Sequence, residues 1–180
     1  MLLLLLIAAT SEPTATQPFT QYRTWNDRSL AFGTKVVRDG WHAQLVVGLG
    51  GGINNDGLFA AVELGGTFKN GVTLAALHVF LQNQGVIGPS RGADALGGWL
   101  VECKVPVLVS EIEAKIAAGL GFVVDELRPS LIPGVGLAYG VDVHLPIYAA
   151  HGPTAGITFF HALVPQHYFT VGVGVGYTFF

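Results

Sequence analysis

The sequence predicts an all-β fold: an eight-stranded antiparallel up-and-down transmembrane β-barrel. Three observations predict it. First, of 180 residues 51% are hydrophobic and only 12% charged, where a soluble domain carries about 25% charged residues. Mean hydropathy is +0.52, and one domain of this size cannot hide so much apolar surface in a core. Second, beyond the extreme N-terminus no apolar run approaches the roughly 18 residues that a membrane helix needs. Third, apolar residues alternate with Gly, Thr, His, Glu and Lys at a period of two, the mark of a strand with two unlike faces. The 25 glycines sit inside these segments, where they would weaken a helix.

The N-terminal block Met1 to Ala9 is apolar and too short to span a bilayer. With the small residues Ala9-Thr10-Ser11 behind it, residues 1–11 read as a signal peptide with its cleavage site. The departure from that pattern is that no Lys or Arg precedes the block. No Cys follows it either, which argues against a lipoprotein anchor. Residues 12–39 form an N-terminal lead-in, partly disordered and rich in Thr, Pro and Gln at its start. Trp25 to Arg38 reads as a periplasmic lead-in, a small internal plug or an extra strand. Residues 40–180 hold the barrel.

Eight segments follow. Trp41 to Leu49 sets Trp41, Ala43, Leu45, Val47 and Leu49 on one face and His42, Gln44, Val46 and Gly48 on the other. Leu58 to Phe68 sets Leu58, Ala60, Val62, Leu64 and Phe68 against Glu63 and Thr67. Asn70-Gly71 is a hairpin signal, because both residues tolerate positive φ. Val72 to Leu81 is apolar on both faces, so its inward side is ambiguous. From about Ala95 to Val109, Trp99, Val101, Cys103, Val105 and Val107 oppose Glu102 and Lys104. From about Lys115 to Leu127, Ile116, Ala118, Leu120, Phe122 and Val124 oppose Lys115, Ala117, Gly119, Gly121 and Val123. The sixth sets Leu137, Tyr139, Val141, Val143, Leu145 and Ile147 against Gly136, Ala138, Gly140, Asp142 and His144. Gly156 to Leu163 is the seventh. The last sets Phe169, Val171, Val173, Val175, Tyr177 and Phe179 against Thr170, Gly172, Gly174, Gly176 and Thr178.

An even strand count and lengths near ten residues suit a bacterial membrane barrel. Connections after the second, fourth and sixth strands look short: Asn70-Gly71, Ser110 to Ala114, and Ala150 to Ala155. Those after the first and third look longer, Asp125 to Pro133 is intermediate, and Val164 to His167 is short. Short turns on one side and long loops on the other place the chain in the outer membrane, with both termini periplasmic. The loops Gly50 to Asp56 and Gln82 to Asp94 then offer the surface for an extracellular ligand.

The final segment, Phe169-Thr-Val-Gly-Val-Gly-Val-Gly-Tyr-Thr-Phe-Phe180, resembles the terminal strand of outer-membrane β-barrel proteins. Size and strand count resemble the small OmpA-like and OmpX-like group. The resemblance covers roughly Gly40 to Phe180. It implies that Tyr177, Phe179 and Phe180 form a terminal signature read by the barrel-assembly machinery, although the cleanest alternation runs through Phe179. It also implies outer-membrane lipid as the immediate partner.

An eight-stranded interior is barely wide enough for side chains. Seven glycines (Gly119, Gly121, Gly136, Gly140, Gly172, Gly174 and Gly176) fall on inward positions and leave space for bulkier groups. Gln44, Glu63, Glu102, Lys104, Asp142 and His144 fall near mid-barrel. A buried ion must be paired, so these six are expected to form a polar network: Lys104, with Lys115 or His144, against Glu63, Glu102 and Asp142. Trp41, Phe68, Trp99, Tyr168 and Tyr177 near strand ends are expected to form interfacial girdles.

Other chemistry is weakly encoded. Asp142-x-His144 is a carboxylate–imidazole pair on one strand face, read as a member of the network before an acid–base dyad. Some lipid A deacylases of this barrel class use a His with a Ser two residues on; after His161 that position is Leu163. His42, His78, His151, His161 and His167 show no metal-ligand spacing, and no cofactor or metal is expected. The lone Cys103 admits no intrachain disulfide. A net charge of −3 and pI near 6.0 leave no basic patch for nucleic acid, and no helix follows the glycine runs to bind nucleotide. The sequence favours a non-enzymatic barrel with a structural, adhesive or envelope-maintaining role. A narrow pore for small or apolar solutes is the second reading, and a lipid-modifying barrel enzyme the third.

Overall fold

The computed structural model describes residues 40–53, 55–68, 71–83, 95–107, 109–124, 130–145, 151–164 and 167–180. The signal-peptide and lead-in readings over residues 1–39 lie outside this set, as do Asn70 and residues 84–94.

Eight strands run in chain order: β1 (Gly40–Ile53), β2 (Asn55–Thr67), β3 (Thr73–Asn83), β4 (Ala95–Val107), β5 (Val109–Val124), β6 (Leu131–His144), β7 (His151–Leu163) and β8 (His167–Phe179). Each pairs antiparallel with the next, and β1 also pairs with β8. The sheet is therefore closed, with no free edge. Strands of 11 to 16 residues exceed the roughly 9–11 that cross a bilayer at the usual tilt.

The alternation read from sequence becomes the two surfaces of this sheet. Leu45, Val47, Leu49, Leu58, Leu120, Val141 and Val173 point outward and are exposed, and inward-phase side chains beside them, such as Val46, Phe59 and Asp142, are buried. Such an outer face fits hydrocarbon, and the closed ladder gives each strand a backbone partner on both sides.

The ambiguous third segment has a structural cause. One extra residue is inserted in β3 between Ala75 and His78, against both β2 and β4. This bulge reverses the phase of the alternation. Thr73 and Ala75 face in before it; His78, Phe80 and Gln82 face in after it. No single two-residue period describes the strand.

Four connections differ from expectation. The stretch 50–56 is mostly paired strand, since the β1–β2 register runs to Gly52↔Asn55. Gln82 also belongs to a strand and is buried, donating to the Gly50 carbonyl at 3.4 Å. The stretch 110–114 lies within β5, because Val107 already pairs with Val109. β7 likewise begins at His151, so 151–155 is strand. At the β2–β3 turn Gly71 adopts φ +83°, which an L side chain resists. The Gly71 amide donates to the Phe68 carbonyl at 2.7 Å.

Candidate functional site

The interior divides into two zones. Toward the β7–β8 hairpin lies an apolar plug of Val46, Phe59, Phe80, Leu96, Leu100, Val123, Phe160 and smaller residues, all buried. Phe59 stacks on Phe80 with centroids 5.4 Å apart, and Phe80 on Phe160 at 4.6 Å. Such pairs contribute about 0.5–1.5 kcal/mol each beyond area burial. Glycine makes the stack possible. A Cβ at Gly172 would stand 2.7 Å from Phe59 Cε1, and one at Gly98 would stand 3.0 Å from Phe160. This zone was not foreseen, because only the charged inward positions drew attention in the sequence.

Toward the termini lies the polar zone. Lys104, fully buried, is its centre. Its ammonium ion pairs with Glu63 and donates to Asp142 Oδ2 at 2.8 Å and Gln44 Oε1 at 2.9 Å, with Glu102 Oε1 at 3.7 Å. Lys115 donates to the other Asp142 oxygen at 2.8 Å. Lys104 and Lys115 face each other in register, and like charges so placed repel. Asp142 lies between them, one oxygen on each ammonium. Room for its carboxylate comes from Gly156, opposite it on β7, where a Cβ would overlap Asp142 Oδ1. Gln44 Nε2 donates to Asp142 Oδ2 at 3.1 Å and Thr178 Oγ1 to Gln44 Oε1 at 3.0 Å, which ties β1, β6 and β8 together.

Five of the six predicted network residues meet here: Gln44, Glu63, Glu102, Lys104 and Asp142. His144 does not join them. Its Nε2 donates to Glu113 Oε2 at 2.9 Å in a separate pair. Asp142 and His144 therefore form no dyad; cross-strand partners hold each of them apart. Sequence reasoning missed four groups. His42 approaches Glu63 at 3.5 Å. His78 donates from Nδ1 to Glu102 Oε2 at 2.7 Å. Glu111 and Glu113 are buried as well. Extending the inward phase of Lys115 and Ala117 back to Glu113 and Glu111 would have found the last two, had they not been read as a turn.

One ligand atom each from Glu63, His78 and Glu102 lie within 4.8 Å of one another, a grouping able to hold a cation. Lys104 already places its charge on Glu63, and His78 is engaged with Glu102, so the trio belongs to the ionic network, although Glu63 Oε1, His78 Nε2 and Glu102 Oε1 have no hydrogen-bond partner in it.

The predicted aromatics divide. Trp41, Phe68 and Trp99 point outward, and Trp41 stacks on Phe179 at 6.2 Å. Tyr177 and Phe179 also lie on the outer phase of β8, within 5.1 Å of each other. Tyr168 is corrected: it has the inward parity of Thr170 and Gly172 and is buried in the apolar zone. Phe180 also turns inward, away from Tyr177 and Phe179. Its ring lies 5.0 Å from that of His144 and 5.5 Å from that of His42, beside the polar zone.

No protein-family model and no curated protein matches the sequence. Solved structures do match. The crystal structure of Neisserial surface protein A (NspA) is similar with a TM-score of 0.52 and 13% identity, over 78% of this chain and 96% of that one. The N-terminal β-barrel domain of Pseudomonas aeruginosa OprF is similar with a TM-score of 0.50 and 13% identity, over 79% of this chain and 100% of that one. At this identity the likeness is one of fold, the small eight-stranded barrel of the outer-membrane type.

Proposed function

We propose that the chain is an integral outer-membrane barrel whose interior is sealed and whose role is structural, adhesive or envelope-maintaining. One observation carries this reading. The Phe59–Phe80–Phe160 stack and the Lys104 network fill successive levels of the same narrow lumen. A solute would have to displace both an apolar plug and a buried ionic cluster. The outer face then serves as the anchor in lipid. Contact with an extracellular ligand falls to the end bearing Gly51 and Gly52, where β3 finishes at Asn83, with both termini on the periplasmic side. Folding there would depend on the barrel-assembly machinery, with Tyr177, Phe179 and Phe180 as its signature.

Single-channel recording in planar bilayers tests the reading. Folded protein is expected to insert without giving a steady open level. A reproducible open conductance would replace it with the pore reading.

A further inference from the structure

Just past β8 the inward phase continues for one residue, and that residue is apolar. Phe180 shares the parity of Thr178 and is only 7% exposed. Its ring meets His144 edge-on at 5.0 Å and lies tilted against His42 at 5.5 Å. These two histidines are the outermost buried side chains of the polar zone on their strands. His42 lies two residues nearer the terminal end of the barrel than Gln44, and His144 two nearer than Asp142. β6 and β1 flank the β7–β8 pair on either side, so one ring touches both walls of the lumen mouth.

Opposing tendencies act on this contact. Burial of the phenylalanine ring favours it. Each imidazole, however, uses only Nε2 in its ion pair, with Glu63 at 3.5 Å and Glu113 at 2.9 Å. His42 Nδ1 and His144 Nδ1 are buried with no hydrogen-bond partner. The cost of stranding such groups is similar in size to the gain from burying one ring. Water entering at the mouth would satisfy both nitrogens. The registers of β8 with β1 and with β7 end at Phe179, so a swing of the Phe180 ring breaks no register pair.

We propose that Phe180 is a lid over the periplasmic mouth of the lumen, closed in this structure, whose outward swing hydrates His42 and His144 together. The lid rests on the reading of a sealed lumen and extends it to a third level, beyond the apolar plug and the Lys104 network. The two can fail separately: conductance reports on the plug, and the accessibility of two side chains reports on the lid.

Modification by diethyl pyrocarbonate tests it, with the protein folded in detergent micelles and the modified residues located by mass spectrometry. The reagent acylates an unprotonated imidazole nitrogen that it can reach. Relative to urea-unfolded protein, His42 and His144 should be protected by a common factor of about ten or more, as one local opening exposes both. His78, fully buried, should be protected more strongly. Phe180→Ala should remove most of the protection of His42 and His144 and leave that of His78 unchanged. Phe180→Leu, which keeps an apolar cover, should retain it. Heat-modifiable mobility on gels identifies folded protein, and if Phe180→Ala does not fold, the parent protein and Phe180→Leu decide. Unprotected histidines in the parent, clearly unequal protection of the two, or protection unchanged in folded Phe180→Ala would overturn the proposal.

Discussion

Removing the central cation of the lumen should be far more costly than its single charge suggests. Lys104→Met keeps most of the side-chain volume and deletes the ammonium. The variant strips Glu63 of its lysine and leaves Asp142 with Lys115 as its one ammonium partner beside the Gln44 amide, while Gln44 Oε1 loses its 2.9 Å donor. All of these groups are buried, so water cannot replace the lost partner. Breaking a buried ion pair by removing one member costs about 3–5 kcal/mol, or roughly two to nearly four orders of magnitude in the unfolding equilibrium. Urea unfolding from lipid vesicles, followed by tryptophan emission and by heat-modifiable mobility on gels, measures this. Adding Glu63→Gln removes the orphaned carboxylate and should restore part of the loss. If Lys104→Met stayed within about 1 kcal/mol of the parent, the network would not be the buried, mutually dependent unit described above.

Further outcomes follow from the same geometry. Gly156→Ala should displace the Asp142 carboxylate from Lys115 and cost about 1–3 kcal/mol in the same assay, the usual range for overpacking; a neutral result would mean that the two strands do not hold Asp142 where the register places it. Phe80→Ala should open a cavity between Phe59 and Phe160 and cost about 3–5 kcal/mol. Val173→Arg, on the outer face at the middle of β8 and 60% exposed, should cost about 2–4 kcal/mol in lipid. On a water-facing surface the same change would stay within about 0.5 kcal/mol, so the assay reports which solvent that face meets.

Much of the fold is legible because a lipid-facing barrel writes its two surfaces into every second residue. β8 is the clearest case: Thr170, Gly172, Gly174 and Thr178 are buried, and the alternate residues Val171 to Phe179 are not. The polar centre was legible for the same reason, since Glu63, Glu102, Lys104 and Asp142 interrupt otherwise apolar strands. The failures have local causes. In β3 the bulge after Ala75 reverses the phase, so His78 could not be assigned to the lumen. Glu111 and Glu113 carry the composition of a turn but sit in a strand whose partner supplies His144. Tyr168 was assigned by residue type to a girdle, although its parity with Thr170 points inward. Pairings such as the hydrogen-bonded His161 and His167 depend on hairpin register, which composition does not encode.

The claim beneath all of this is that the outer phase of the sheet touches hydrocarbon. Two native reporters lie on it, Trp41 at 54% and Trp99 at 61% exposure. A Trp25→Phe variant leaves them as the only tryptophans of the chain's three. Reconstituted into vesicles with brominated acyl chains, this variant should lose much of its tryptophan emission relative to unbrominated lipid. Emission indifferent to bromine, from protein that stays folded and dispersed in plain buffer, would contradict the account.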